Sequence, residues 1–212
     1  MSAYYEVARL VCISDNFNWQ VHADYIVGKL SSAVFLMSNL LKTVHEKQLL
    51  MVYYAYSYSI MQYGIVYWGG SASALRAVFV EQKRLVRCLA GVRYWPGPEP
   101  LCSCRPLFAR LNLLPVFSIY LLECCKFARR FPHYFQRTEE VHSHNTRNKA
   151  ELYVGACTLQ ISRMNPAVCV PTLYNALPEE IRSIRSYKRY VSALKKFVYE
   201  KKFYSQDEFF GV

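Results

Sequence analysis

The chain has 212 residues, 53% of them hydrophobic and 19% charged, with 26 Lys and Arg against 15 Asp and Glu for a formal net charge of +11. So apolar a composition excludes a disordered chain, and the length suffices for one substantial core or two small domains. The excess charge is uneven: Met1–Ala72 carries four basic and four acidic residues, which leaves 22 and 11 for Ser73–Val212, and this asymmetry favours a polyanionic partner, nucleic acid or an anionic membrane surface, over a neutral one.

Met1–Leu10 carries Glu6 and Arg9 and lacks the apolar core of a secretory signal, and the eight cysteines (Cys12, Cys88, Cys102, Cys104, Cys124, Cys125, Cys157, Cys169) are scattered. Both features point to an intracellular chain, nuclear or cytoplasmic, with reduced thiols. From Val21 the apolar positions Tyr25, Ile26, Leu30, Ala33, Val34, Met37, Leu40 and Leu41 recur at helical spacing. They predict an amphipathic helix over 20–42, with Asn18 placed to cap its first turn. A second helix is expected over 46–68, stopping at Gly69-Gly70, and the short joining segment implies an antiparallel pair. The stretch 48–75 has no charged residue and is long enough to span a bilayer. Tyr53, Tyr54, Tyr56, Tyr58, Tyr63 and Tyr67, with Ser57, Ser59 and Gln62, would find no hydrogen-bond partners in hydrocarbon, which favours a buried core helix. A single-span membrane protein through 48–75 stands as an alternative.

A third helix is expected over 73–90, ending at Gly91. At about 100° per residue, Arg76, Lys83 and Arg87 fall within about 40° of one another, with Arg84 to one side. Leu75, Phe79, Leu85, Val86 and Leu89 lie across the helix. Such a stripe can follow a phosphate backbone without reading bases, and an ordinary solvated face is the plain alternative. Tyr94–Cys102, with three prolines and a glycine, reads as a loop. Ser103 and Pro106 start a short helix through Leu111, and Pro115 opens another to about Arg130. Pro132 and the polar run to Ala150 read as a linker. Residues 151–163 alternate enough to suggest a short hairpin, Pro171 and Pro178 bracket a helix or turn over 173–177, and 186–203 gives a final helix. Its inward positions are Tyr190, Leu194, Phe197 and Val198, with Lys188, Arg189, Lys195, Lys196, Lys201 and Lys202 outside. The fold class is mainly α: a helical bundle followed by a small α+β C-terminal region with a short hairpin.

Two-metal phosphoryl transfer needs carboxylates that converge on magnesium. Only Glu139-Glu140, Glu179-Glu180 and Asp207-Glu208 stand as pairs, and Asp15 and Asp24 lie far from them. The chain has no glycine-rich phosphate loop, no G-x-S-x-G elbow and no His-Glu-x-x-His helix. Cys102-x-Cys104 and Cys124-Cys125, with His142-x-His144, lack the two-to-four residue gap of a structural zinc site, so buried, unpaired cysteine is the better reading. In HNTRNK, His144–Lys149, Asn145, Arg147, Asn148 and Lys149 could grip a nucleic-acid backbone, or form a turn in which the asparagines satisfy local backbone groups.

Four islands stand in fixed order: Leu49–Trp68 (LLMVYYAYSYSIMQYGIVYW), Ser103–Leu114 (SCRPLFARLNLL), His142–Lys149 (HSHNTRNK) and Thr172–Ser183 (TLYNALPEEIRS). Asn18–Ser31 leads into the first and Lys201–Phe210 closes the last. In this order they resemble the C-terminal part of the reverse transcriptase of jockey-like retrotransposons that lack long terminal repeats. The departures are Met1–Phe17, which fits poorly, and the 94–102 loop, which is longer than the family pattern.

The resemblance implies a remnant of the palm exit over 1–19, a helical thumb-like domain over 20–131, a linker over 132–150 and a basic α+β region over 151–212. It implies a fragment of an RNA-directed DNA polymerase, decayed or truncated, without the catalytic palm and not an enzyme by itself. Magnesium is expected only for an intact relative with its palm; no cofactor, metal site, catalytic residue, small-molecule substrate or membrane is expected here. The partner would be an RNA/DNA template-primer, held by Arg76, Lys83, Arg84, Arg87, Arg147 and Lys149. From a different class, a repurposed helical protein-interaction module is the alternative.

Overall fold

Asn18 Oδ1 accepts the Gln20 N–H at 2.9 Å, and from there the chain runs as helix α1, Gln20–Leu40. The structure, a computed structural model, describes residues 5–6, 12–13, 18–92, 103–141, 151–157, 159 and 164–211. It is mainly helical, and its internal contacts divide it into two compact units: Met1–Gly64 with Ser71–Val116, and Ile65–Gly70 with Phe117–Val212. The linker expected over 132–150 falls inside the second unit, and residues 142–150 lie outside the described residues.

In the first unit, α1 buries His22, Ala23, Ile26, Leu30, Ala33 and Met37, the three-and-four spacing of one helix face. Its main partner is not the following segment but α5, Ala72–Leu89, and it touches the intervening turns more lightly. The single helix expected over 46–68 is interrupted. It starts as α2, Glu46–Val52, where the His45 N–H donates to Gln48 Oε1 at 3.1 Å. It then widens into a π-helical stretch, Tyr53–Tyr58, and resumes as α3, Ser59–Gln62. Tyr63 turns extended (ψ 121°) and Gly64 takes a left-handed φ of 61°, which ends the helix before α4, Ile65–Trp68. The stretch 48–75 is therefore not one helix, and among the described residues no helix is long and apolar enough to cross a membrane. Two short strands, β1 (Tyr5–Glu6) and β2 (Cys12–Ile13), pair antiparallel, and β2 lies against α1. Helix α6, Arg105–Arg110, packs on α5 through the Phe108 and Phe79 rings, 6.2 Å apart.

The second unit is built on α7, Val116–Arg130, whose stretch Phe117–Leu122 is buried throughout. Around it stand α4, a 3-10 turn at Pro132–Tyr134, α8 (Thr138–Val141), α9 (Pro166–Asn175), α10 (Glu179–Arg182), α11 (Tyr187–Lys201) and α12 (Gln206–Phe210). Gly69 and Gly70 do more than allow a turn. A Cβ on Gly69 would stand 2.3 Å from the Tyr120 ring and 2.5 Å from the Ile65 carbonyl, and one on Gly70 would stand 2.6 Å from the Met164 carbonyl. The glycines permit the close approach of α4 and the chain after it to α7 and to Met164.

Two expectations for the C-terminal region are corrected. Pro171 lies inside α9 rather than before it, and the expected hairpin over 151–163 is not supported. The backbone of 151–153 finds its partners elsewhere: Tyr153 N–H donates to the Gln136 carbonyl (2.8 Å) and Thr138 N–H to the Glu151 carbonyl (3.0 Å). Asn175 closes the other side, its Oδ1 accepting the Leu152 N–H (3.0 Å) and its Nδ2 donating to the Leu152 carbonyl (2.8 Å). An isolated bridge, Arg137 with Leu152, replaces the hairpin. Residues 158 and 160–163 of that segment lie outside the described residues. Helix α11 closes as expected, with Tyr190, Leu194 and Val198 buried, Phe197 half-buried, and Lys202 left-handed at its end.

Candidate nucleic-acid interface

Helix α5 carries the four cations singled out near the middle of the chain. Ser71 caps it, its hydroxyl accepting the Ala74 N–H at 3.4 Å. Its buried face is Ala74, Val78, Leu85, Val86 and Leu89 together with two polar residues, Glu81 and Gln82; Leu75 and Phe79 are only half-buried. The core face is thus rotated from the expected one, because Gln82 reaches buried partners that a hydrophobic pattern does not reveal.

On the outer side the four cations differ. Arg76 is exposed, and Lys83 and Arg87 are half-buried. Arg76 and Lys83 are about 10 Å apart along the axis and Lys83 and Arg87 about 6 Å, at about 1.5 Å rise per residue. Lys83 holds its ammonium 4.7 Å from the centre of the Phe79 ring. Lys83 and Arg87 also both act on Cys104, at the start of α6, where burial pushes the thiol up and their charges pull it back by less. Arg84 is differently engaged: it pairs with Glu81 at 2.9 Å, and that carboxylate, 4% exposed, also accepts the Ser31 hydroxyl at 2.8 Å. The arrangement brings Lys83 and Arg87 together, keeps Arg76 on the same helix face, and commits Arg84 to neutralising a buried charge. Arg147 and Lys149 lie outside the described residues.

Several glutamates elsewhere stand in separate ion pairs: Glu46 with Arg110 (3.2 Å), Glu123 with Lys126 (2.8 Å), Glu151 with Arg182 (3.7 Å) and Glu200 with Lys196 (4.0 Å). Among the described residues no three His, Cys, Asp or Glu side chains gather as a metal site would need. Cys124 and Cys125 are fully buried, and burial pushes both thiols well up. After the Arg84–Glu81 pair, three cations remain on one side of α5, whose other side is anchored in the core, and such a face presents positive charge to whatever meets it.

Sequence reasoning missed a cleft in the second unit, lined by aromatic rings and by charged side chains of both signs. The cleft, of about 150 Å³, is lined by Val66, Glu123, Lys126, Phe127, Arg130, Phe131 and Tyr187. The signal that could have found it is the run Phe131-Pro-His-Tyr-Phe135 directly after Arg129-Arg130, which composition alone assigns to a linker.

No family model, no curated protein and no solved structure matches this chain.

Proposed function

We propose that the chain is a nucleic-acid-holding module of thumb and post-thumb type, derived from the reverse transcriptase of a retrotransposon without long terminal repeats, and that it grips a template-primer backbone without carrying out polymerisation. The observation that bears most weight is α5: Arg76, Lys83 and Arg87 share one side of a helix fixed to the core by its opposite face. Cations set on a rigid helix meet phosphates without ordering long loops on binding, and phosphate contacts confer no sequence preference. The order of the motif islands supports the polymerase origin, and the excess of basic residues after Ser73 supports a polyanionic partner. On this reading nucleotide addition belongs to carboxylates of a palm, and the ion-paired glutamates here serve structure.

The test is direct titration of the chain with an RNA/DNA hybrid, a DNA duplex of the same length and a neutral polymer, across a range of salt. The proposal expects micromolar or tighter binding to both nucleic acids, a steep fall in affinity with salt and no preference among sequences. Binding that is absent, or indifferent to salt, would refute it and favour a protein-interaction module. Primer extension by the purified chain with magnesium and nucleotides, lost on changing an acidic pair, would overturn the non-catalytic part.

A further inference from the structure

We infer that the cleft among α4, α7 and the start of α11 is a stacking site for an unpaired base of single-stranded RNA or DNA; this extends the nucleic-acid role proposed above to a second, chemically different contact.

The site combines faces and charge. Phe127 contacts Phe131 (ring centres 5.1 Å apart) and lies near-parallel to Tyr134 (6.0 Å, 15°), so the end of α7 presents an ordered group of rings. Tyr187, which lines the cleft, is 41% exposed, and Tyr134, which reaches the cleft only through its stacking partner Phe127, is 66% exposed. Arg130, exposed, lies 5.5 Å from the centre of the Phe131 ring, where its guanidinium can meet a phosphate while its plane rests on an aromatic surface. Glu123, beside it in the cleft, is held by Lys126 at 2.8 and 2.9 Å. Tyr187 is the first residue of α11, whose first-turn N–H groups receive no bond from the Ser186 side chain, and Lys188 and Arg189 follow it, exposed.

Aromatic faces interleaved with cations suit an unpaired strand, because every base offers a π-face while the backbone tracks the charges. A duplex keeps its bases stacked on one another and could engage only the cations. The cleft, of about 150 Å³, is open to solvent on one side, where a flat ring could lie against its aromatic wall.

The experiment uses the full chain, a fluorescein-labelled 15-nucleotide oligothymidine and the same strand carrying one 2-aminopurine. The chain should quench 2-aminopurine as it binds. Tyr134→Ala with Tyr187→Ala should weaken single-strand binding about 10-fold and abolish the quenching, with duplex affinity unchanged. Tyr134→Phe with Tyr187→Phe should retain both binding and quenching, which separates stacking from loss of fold. Alanine variants that bind the single strand like the parent, or that lose duplex and single-strand affinity equally, would overturn the inference. So would displacement of the oligonucleotide by anionic vesicles or a phosphotyrosine peptide at matched charge. If duplex binding persists while stacking fails, only this inference falls; if no nucleic acid binds, the proposed function falls with it.

Discussion

The Gln82 amide and the Tyr53 hydroxyl meet at 3.0 Å in the first unit, both wholly buried. The same Nε2 donates to the Leu114 carbonyl (2.8 Å), and Gln82 Oε1 accepts the Val116 N–H (2.8 Å). One side chain thus joins α5, the π-helical stretch and the turn into α7, which explains why a polar residue occupies the core face of the helix that carries the cations.

Gln82→Leu should destabilise the fold by about 2–4 kcal/mol, because it strands the buried Val116 N–H and Leu114 carbonyl rather than merely removing a bond. Tyr53→Phe, which leaves those backbone bonds in place, should cost about 1 kcal/mol. Urea unfolding of the two variants measures this, and equal costs would show that the backbone bonds carry no special weight.

Glycine substitutions should separate by location. Gly69→Ala places a methyl against the Tyr120 ring and the Ile65 carbonyl, and should cost about 3 kcal/mol or more through overpacking. Gly28→Ala, in the middle of α1 with nothing within 4 Å, should stabilise by about 0.5–1 kcal/mol through helix propensity alone. Thermal melts of both proteins give the signs directly, and destabilisation by Gly28→Ala would contradict the packing described.

These residues also show what was legible in the sequence. The bounds of α1 and α5 followed from periodicity, Asn18 and Gly91, since local spacing and local capping decide them. The break at Tyr63-Gly64 was not legible, because a lone glycine in an apolar run is compatible with a continuing helix, and it is the extended Tyr63 with the left-handed Gly64 that ends it. Residues 151–163 alternate as a hairpin would, but at Leu152 the side-chain amide of Asn175 supplies a distant partner that the local pattern does not reveal. For the candidate interface, the arc of Arg76, Lys83 and Arg87 was legible from helical angle, whereas the commitment of Arg84 depends on Glu81 being buried. The second cleft draws on elements separated by more than a hundred residues, Val66 and Tyr187 among them, so the aromatic run after Arg129-Arg130 hints at only one of its walls.

Stability should fall on both sides of neutrality, for different groups. Burial pushes the Cys124 and Cys125 thiols well above 9.0, so the folded chain keeps protons that the unfolded chain loses. Their contribution is complete below about pH 9 and is lost as pH rises beyond it, by up to about 1.4 kcal/mol per pH unit for each thiol. Burial lowers His22 below 6.5, so the unfolded chain takes up the proton first. That contribution is complete above pH 6.5 and is lost as pH falls through the folded value. Urea midpoints from pH 5 to 10.5 should trace both limbs, and Cys124→Ala with Cys125→Ala should flatten the alkaline one. A parent profile level between pH 8.5 and 10.5 would contradict the burial of the thiols.

The salt dependence of nucleic-acid binding in two charge-matched triple variants separates a specific α5 face from net charge. Replacing Arg76, Lys83 and Arg87 with Gln removes three charges at little cost in helix propensity. Replacing Lys195, Lys196 and Lys201, all exposed on α11, removes the same charge from another helix. The α5 variant should bind duplex and hybrid more weakly, with a slope of log affinity against log salt smaller by about two to three units, while the α11 variant should keep a slope close to the parent's. Equal losses in the two variants would mean that net charge alone drives binding, and would contradict the assignment of the α5 face.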